Sequence, residues 1–293
     1  MEKYIVVTGG SGFIGSNMIQ YLLLKTNKDI ISLDNYSTGL KKNHIRNNRI
    51  KYIKADTKDI SNRLKLYKKK IAAIFHFGEF SRIYQSFSKM NECITSNSIG
   101  SHAVFNFCLS NKIKLIYSAT SASLGNNGLD KNLSPYAFTK SKNLELLENL
   151  KKWFKLKYEI IYFYNVYGPN QISQGDMATV IGIFEKQFKD KKPLTIVNPG
   201  TQERRFTHVQ DTVAACYFAW KQNKCRHYSI SSKNSYSIIE VAKMFNSKLK
   251  FLPQRPGERY ASALTNMNLS NKVYKLFSKI DLKDYVKKVV INR

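Results

Sequence analysis

Tyr136 and Lys140 stand four residues apart in the stretch Ser134-Pro135-Tyr136-Ala137-Phe138-Thr139-Lys140. Proline suits the first turn of a helix, and a spacing of four puts both side chains on one helical face. An ammonium beside a phenol favours the phenolate and draws its pKa down from about 10 toward working pH. Tyr136 then becomes a general base able to take the proton of a hydroxyl. The same pair also arises by chance, as one core and one surface residue of an ordinary helix. Its meaning depends on what the chain sets beside it.

A second stretch suits phosphate. It runs Val6-Val7-Thr8-Gly9-Gly10-Ser11-Gly12-Phe13-Ile14-Gly15-Ser16-Asn17, between an apolar run from Tyr4 and a helical pattern at Met18 to Leu24. Glycine tolerates unusual backbone angles, admits a phosphate close to the backbone and lets the helix pack against its strand. The first N–H groups of that helix have no intrahelical partner and can hold a pyrophosphate. Asp34 ends the next apolar run, Ile30 to Leu33. It falls about 20 residues beyond the glycines, where a carboxylate meets the adenosine ribose hydroxyls and repels a 2′-phosphate. Strand, turn, helix and acid together predict a dinucleotide site for NAD.

These residues need a scaffold. Apolar runs at Ile50 to Ile53, Ala72 to Phe75, Leu115 to Tyr117 and Ile160 to Phe163 read as further strands. Longer periodic segments fall between them, at Asn91 to Asn111 and Tyr136 to Phe154. Such alternation predicts an α/β fold with a doubly wound parallel sheet of the Rossmann type. Past Gly168-Pro169 the pattern loosens. Helical segments at Thr179 to Lys189, Asp211 to Lys221 and Ile238 to Phe245 and a strand at Leu194 to Val197 predict a smaller substrate-binding lobe. The expected division is a dinucleotide domain at 1–167, its sheet completed by parts of 205–232, and a lobe at 168–293.

The chain has 293 residues, with 48 Lys and Arg against 20 Asp and Glu and a formal charge of +28. Such a balance permits nucleic-acid binding, but the lysines are dispersed as solvated positions are, so no nucleic-acid partner is expected. No apolar run reaches membrane-spanning length. The first strand begins at Tyr4, which leaves no room for a leader, and a cytoplasmic location is expected. Cys93, Cys108, Cys216 and Cys225 are scattered without metal-ligand spacing. Reduced thiols and no metal site are the expectation.

The Gly-x-x-Gly-x-x-Gly spacing, followed by the Tyr-x-x-x-Lys pair, resembles the extended short-chain dehydrogenase/reductase superfamily, whose members mostly act on nucleotide-linked sugars. Further segments carry the likeness to its epimerase/dehydratase branch. Ser118-Ala119-Thr120-Ser121-Ala122-Ser123-Leu124-Gly125 is similar to the segment that supplies a third catalytic hydroxyl. Counting back from Gly125 puts that hydroxyl on Thr120, with Ser118 and Ser121 as rivals. The resemblance implies that Thr120, Tyr136 and Lys140 are catalytic and that Lys140 also holds the nicotinamide ribose. It implies cofactor contacts from Gly9, Gly12, Phe13, Ile14, Gly15, Asp34, Asn35 and Ser37. Asp56 and Thr57 would lie by the adenine, unless Asp56 is an ordinary strand-end residue. Phe77, Gly78, Phe80, Asn97, Tyr164 and Val166 would complete the cofactor site, with Asn97 supporting the nicotinamide region.

Substrate contacts are implied for Ser81, Arg82, Thr120, Asn165, Arg204 and Arg255, the two later arginines on a diphosphate that suits their paired donors. The chain departs from the pattern in four places. Tyr162 and Tyr164 stand where Arg and Phe are usual, and Arg205 stands where Asp is usual. Glu79 and Arg82 enter a loop that usually holds small residues, where they pair with each other, face solvent or reach the sugar. The Asp-Glu pair by which the 4,6-dehydratases lose water is replaced by Ser121-Ala122. The resemblance therefore implies an NAD-dependent nucleoside-diphosphate-sugar 4-epimerase working through a transient 4-keto sugar. The alternatives are a 4-dehydrogenase, for example on a GDP-heptose, a 4,6-dehydratase, and a non-enzymatic NAD- or RNA-binding regulator. A homodimer is also implied, paired through the helices at Asn91 to Asn111 and Tyr136 to Phe154, with Ile94, Val104, Phe105, Leu144 and Leu147 as candidate contacts.

Overall fold

The computed structural model describes residues 3–123, 130–254 and 273–292. Six strands follow the apolar runs: β1 (Tyr4–Thr8), β2 (Asp29–Asp34), β3 (Ile50–Lys54), β4 (Ile71–His76), β5 (Lys114–Thr120) and β6 (Tyr158–Phe163). Two more, His227–Ser231 and Val273–Phe277, extend the sheet beyond β6, in the order Val273–Phe277, His227–Ser231, β6, β5, β4, β1, β2, β3. All pairings are parallel. The order reverses direction between β1 and β4, and ligands of such sheets bind outside the carboxyl ends of the strands at that point.

Both faces of the sheet are covered, as a parallel sheet requires. One core contains Ile31, Phe105, Tyr117 and Leu147, and the other contains Val7, Met18, Phe75 and Val213. The helix Pro135–Phe154 shows why Tyr136 and Lys140 are held firmly. Ser134 accepts from the N–H of Ala137 at 3.1 Å, Pro135 opens the helix, and Lys155 closes it in the left-handed conformation. An Ncap hydrogen bond of this kind stabilises a helix by about 1 kcal/mol. The expected helix over Asn91 to Asn111 is instead composite: Met90–Ile94, a wide π turn at Thr95–Gly100, then Ser101–Ser110.

The remaining lobe has its own core of Phe184, Leu194, Ile196, Val241 and Phe245. The helix Val180–Lys189 and the paired strands Leu194–Val197 and Leu249–Leu252 build it. No helix among the described residues is long and apolar enough to cross a membrane.

Candidate active site

A cavity of about 860 Å³ lies over the carboxyl ends of β1, β4 and β5 and reaches into the lobe. That volume suits a ligand of substantial size. At one end the chain enters from β1 through a turn in which Gly9 has φ +66. A Cβ on Gly9 would meet the backbone of Phe77 and Gly78 at 2.9 Å, and one on Gly15 would lie 2.1 Å from the Gly9 carbonyl oxygen. Only glycine lets the turn, β4 and the following helix Phe13–Lys25 come so close. No side chain caps that helix at Gly12, so its N-terminus faces the cavity with its dipole unopposed.

Gly9, Gly12, Phe13, Ile14, Gly15, Asn35 and Ser37 line this end, with Asp56, Thr57, Phe77, Gly78 and Phe80 beyond them. Asp34 closes the floor. Its carboxylate accepts from the N–H groups of Ser11 at 2.9 Å and Tyr36 at 2.7 Å. Burial pushes the Asp34 carboxyl above its ordinary range, against the pull of these hydrogen bonds. The open helix N-terminus and the carboxylate beside it fit the pyrophosphate and adenosine ribose of NAD. Asp56 has local work as well, capping the turn at Thr57 and accepting from Asn35 at 3.2 Å.

The middle of the cavity holds the proton-transfer residues. Thr120 ends β5, and its hydroxyl accepts from the N–H of Ala122 at 3.2 Å, which leaves its own O–H to donate to the hydroxyl of Tyr136. Ser118 instead donates to the carbonyl of His76 at 2.9 Å. Lys140 has its partners elsewhere than at the Tyr136 hydroxyl. Its ammonium forms an ion pair with Glu79 and donates to the carbonyl of Ser118. Contrary to the sequence-based expectation, the net effect of the protein is not to lower the Tyr136 pKa. Burial pushes it up to about 12, and the Thr120 hydrogen bond opposes this only in part.

Several other expectations change. Glu79 and Arg82 do not pair and do not face solvent together. Glu79 lies in the cavity wall with a buried carboxylate, while Arg82 donates from Nε to the carbonyl of Met177 at 3.0 Å and from Nη1 to that of Ser81 at 3.0 Å. Asn97 does not line the cavity. It is fully buried on the inner face of the π turn and makes a two-way clamp on the Phe80 backbone, accepting at 2.6 Å and donating at 3.0 Å. Tyr164 is likewise off the cavity, packed into the core beside Tyr162. Phe163 at the end of β6 and Asn165 and Val166 beyond it line the cavity, whereas Tyr164 between them does not. Phe163 was missed; its place at the carboxyl end of β6 is the signal that could have found it.

Ser81, Arg82, Asn165, Val166 and Arg204 line the far end, with Gln202 from the lobe as an unanticipated neighbour. Asn165 has φ +28, an unusual conformation for a side-chain-bearing residue, and donates to the Arg205 carbonyl at 2.9 Å. Arg205 donates to the carbonyls of Ser232 and Lys233, which ties it to the turn after the strand His227–Ser231 rather than to the cavity. Arg255 lies outside the described residues. Of the expected dimer contacts, Val104, Phe105 and Leu147 are fully buried in the core and unavailable to a partner.

Fold and cavity together describe a dinucleotide-dependent enzyme of the short-chain dehydrogenase/reductase type. The chain belongs to the NAD dependent epimerase/dehydratase family, whose model matches residues 5–231. It is 30% identical, over 84% of its length and 81% of the relative's, to an ADP-L-glycero-D-manno-heptose-6-epimerase of Brachyspira hyodysenteriae. It is 29% identical, over 98% of its length and 97% of the relative's, to a Methanocaldococcus jannaschii protein provisionally named UDP-glucose 4-epimerase. Among solved structures, the UDP-N-acetylglucosamine 4-epimerase of Methanobrevibacter ruminantium, in complex with UDP-N-acetylmuramic acid, superposes with a TM-score of 0.84 at 25% identity, covering 99% of this chain and 96% of the other. The cofactor is NAD.

One prediction follows from Asp34. A 2′-phosphate beside this walled carboxylate would meet like-charge repulsion, so NADP is expected to bind about tenfold or more weakly than NAD, equivalent to ~1.4 kcal/mol or more. Calorimetric titration with both cofactors measures it, and equal or tighter NADP binding would remove Asp34 from the ribose.

Proposed function

We propose that the chain is a nucleoside-diphosphate-sugar 4-epimerase that works through a transient 4-keto sugar. The observation that carries this is the Thr120–Tyr136 hydroxyl pair in a cavity that runs from the glycine turn to Arg204. NAD, when bound, supplies a reversible hydride acceptor. Tyr136 takes the proton of the C4 hydroxyl and later returns one. Thr120, oriented by the Ala122 N–H, holds the reacting oxygen. Arg204 contacts the diphosphate, with Arg255 proposed as its partner. The lobe at 168–293 supplies the substrate half of the site, and 1–167 supplies the cofactor half. Dehydration would need an acid and a base beside Thr120, where Ser121 and Ala122 stand.

The test is a panel of UDP- and GDP-sugars in deuterated water, read by mass spectrometry and product identity. Product of unchanged mass with inverted C4 is expected. Loss of water would make the chain a dehydratase, and loss of two hydrogens with reduced cofactor a 4-dehydrogenase.

A cytoplasmic homodimer, paired through the helices at 90–110 and 135–154, belongs to the same proposal. Ile99 and Phe138 on those helices are 55% and 45% exposed and offer apolar contacts. Light scattering at micromolar concentration should give twice the chain mass; the mass of a single chain would remove the dimer.

A further inference from the structure

Glu79 is a carboxylate that the reaction as described does not use, yet it is built into the site with unusual completeness. It leaves β4 three residues after His76 and ends with its side chain 3% exposed. Four donors converge on it. Lys140 pairs with Oε2, while Oε1 accepts from Ser101 at 2.7 Å, Tyr117 at 3.0 Å and Asn143 at 3.2 Å. A buried charge is costly unless paired and hydrogen-bonded, and both conditions are met here.

The Ser101 contact begins a directed chain that runs back to the glycine turn. Thr8 accepts at Oγ1 from the N–H groups of Phe77 and Gly78, both at 3.1 Å, so its own proton goes to His76 Nδ1 at 2.7 Å. His76 Nε2 therefore carries a hydrogen and donates to Ser101 at 3.0 Å, and Ser101 donates onward to Glu79. Burial pushes His76 down to about 4, so it is neutral and serves as a connector. Every hydrogen in this row has one direction, and all of them point toward the Glu79 carboxylate.

Lys140 also sits over the ring of Tyr117, 4.6 Å from its centroid, so the ammonium is caged between a carboxylate and an aromatic face. We propose that Glu79 is a positioning residue: its carboxylate fixes the Lys140 ammonium at the back of the site and offsets its charge beside Tyr136. The proposal rests on the 4-epimerase reading for its relevance to turnover, but the charge relation concerns the protein alone.

The groups facing Tyr136 are Glu79 and Arg82 from the loop after β4, Cys93 from the helix Met90–Ile94, Thr120 and Tyr117 from β5, and Lys140 one turn along the helix of Tyr136 itself. The groups facing Glu79 are Lys140, Asn143 and Tyr136 from the helix Pro135–Phe154, Tyr117 from β5, Cys93 from the helix Met90–Ile94, and Ser101 with His76 behind it. With Lys140 offset, Arg82 is the cation that acts on the phenol. Removing the Glu79 charge would leave Lys140 acting on it as well, and the phenolate would form at lower pH.

The test is a phenolate titration by ultraviolet absorbance on the NAD-loaded enzyme, taking the signal that Tyr136→Phe removes. Glu79→Gln should bring the midpoint about one pH unit lower, and Glu79→Asp, which keeps the charge, should restore it. The rising limb of turnover against pH should move with it. An unchanged midpoint in Glu79→Gln, or an equal shift in Glu79→Asp, would overturn the proposal. If Glu79→Gln alone does not fold, the double variant Glu79→Gln/Lys140→Met leaves no unpaired buried charge and decides the matter. Its midpoint should stay near that of the unaltered protein, because both members of an offset pair have gone. A rise of about one pH unit would mean that Lys140 acts unopposed, and would sink the proposal. A titration as expected with no turnover on any nucleotide sugar would instead remove the 4-epimerase reading and leave Glu79 in its role.

Discussion

Tyr136→Phe is expected to lower turnover by about 10²–10⁴-fold or more while leaving the fold and NAD binding nearly intact. The ring is buried against Phe80 and Cys93 with Met177 alongside, and phenylalanine keeps that packing. What goes is the hydroxyl that pairs with Thr120 and accepts the substrate proton. Thr120 keeps its hydrogen bond from Ala122, so the turn after β5 should not move. The pH dependence has a definite sign. Burial places the Tyr136 pKa at about 12, above working pH, so the base form is scarce at neutrality and becomes more abundant as pH rises. Turnover should therefore climb from neutral toward alkaline pH, and the climb should vanish in the Phe variant. Steady-state kinetics across pH measures both. If Tyr136→Phe kept most of its activity, proton transfer would have to be assigned elsewhere.

Lys140→Met should cost stability as well as activity. The methionine leaves the Glu79 carboxylate buried without its cation, and breaking a buried ion pair from one side costs about 3–5 kcal/mol. The lower end is expected, because Ser101, Tyr117 and Asn143 still donate to that carboxylate. Denaturant unfolding would register this as a lower midpoint with an unchanged slope. Adding Glu79→Gln to Lys140→Met should recover most of the loss, since no charge is then left unpaired. NAD binding, followed by calorimetry, should remain weakened in both. A Lys140→Met protein as stable as the unaltered chain would show that the pair is solvated in solution.

The edge strand Val273–Phe277, expected in the lobe, joins the sheet only in the folded chain, but the sequence by itself determined most of the sheet, the glycine turn and the placing of Tyr136 on a helix. Each depends on a local rule: apolar runs, backbone freedom at glycine, and side chains four apart on one face. The strand Leu194–Val197 and helix Pro135–Phe154 are legible for the same reason. Strand parity does not carry past Phe163, because Asn165 leaves the extended conformation at φ +28 and Val166 lines the cavity beside it. Other features were out of reach of any local rule. Asn97 sits where a helix widens into a π turn, and its side chain goes to Phe80, 17 positions away. Arg205 turns to Ser232 because the chain leaves the strand His227–Ser231 beside it. Above all, Lys140 meets Glu79 across 61 positions, at a spot made dry by two helices and the sheet. Spacing on a helix decides which side chains share a face. The charge that an ammonium meets, and hence what it does to a neighbouring phenol, depends on burial and on partners that only the folded chain brings together.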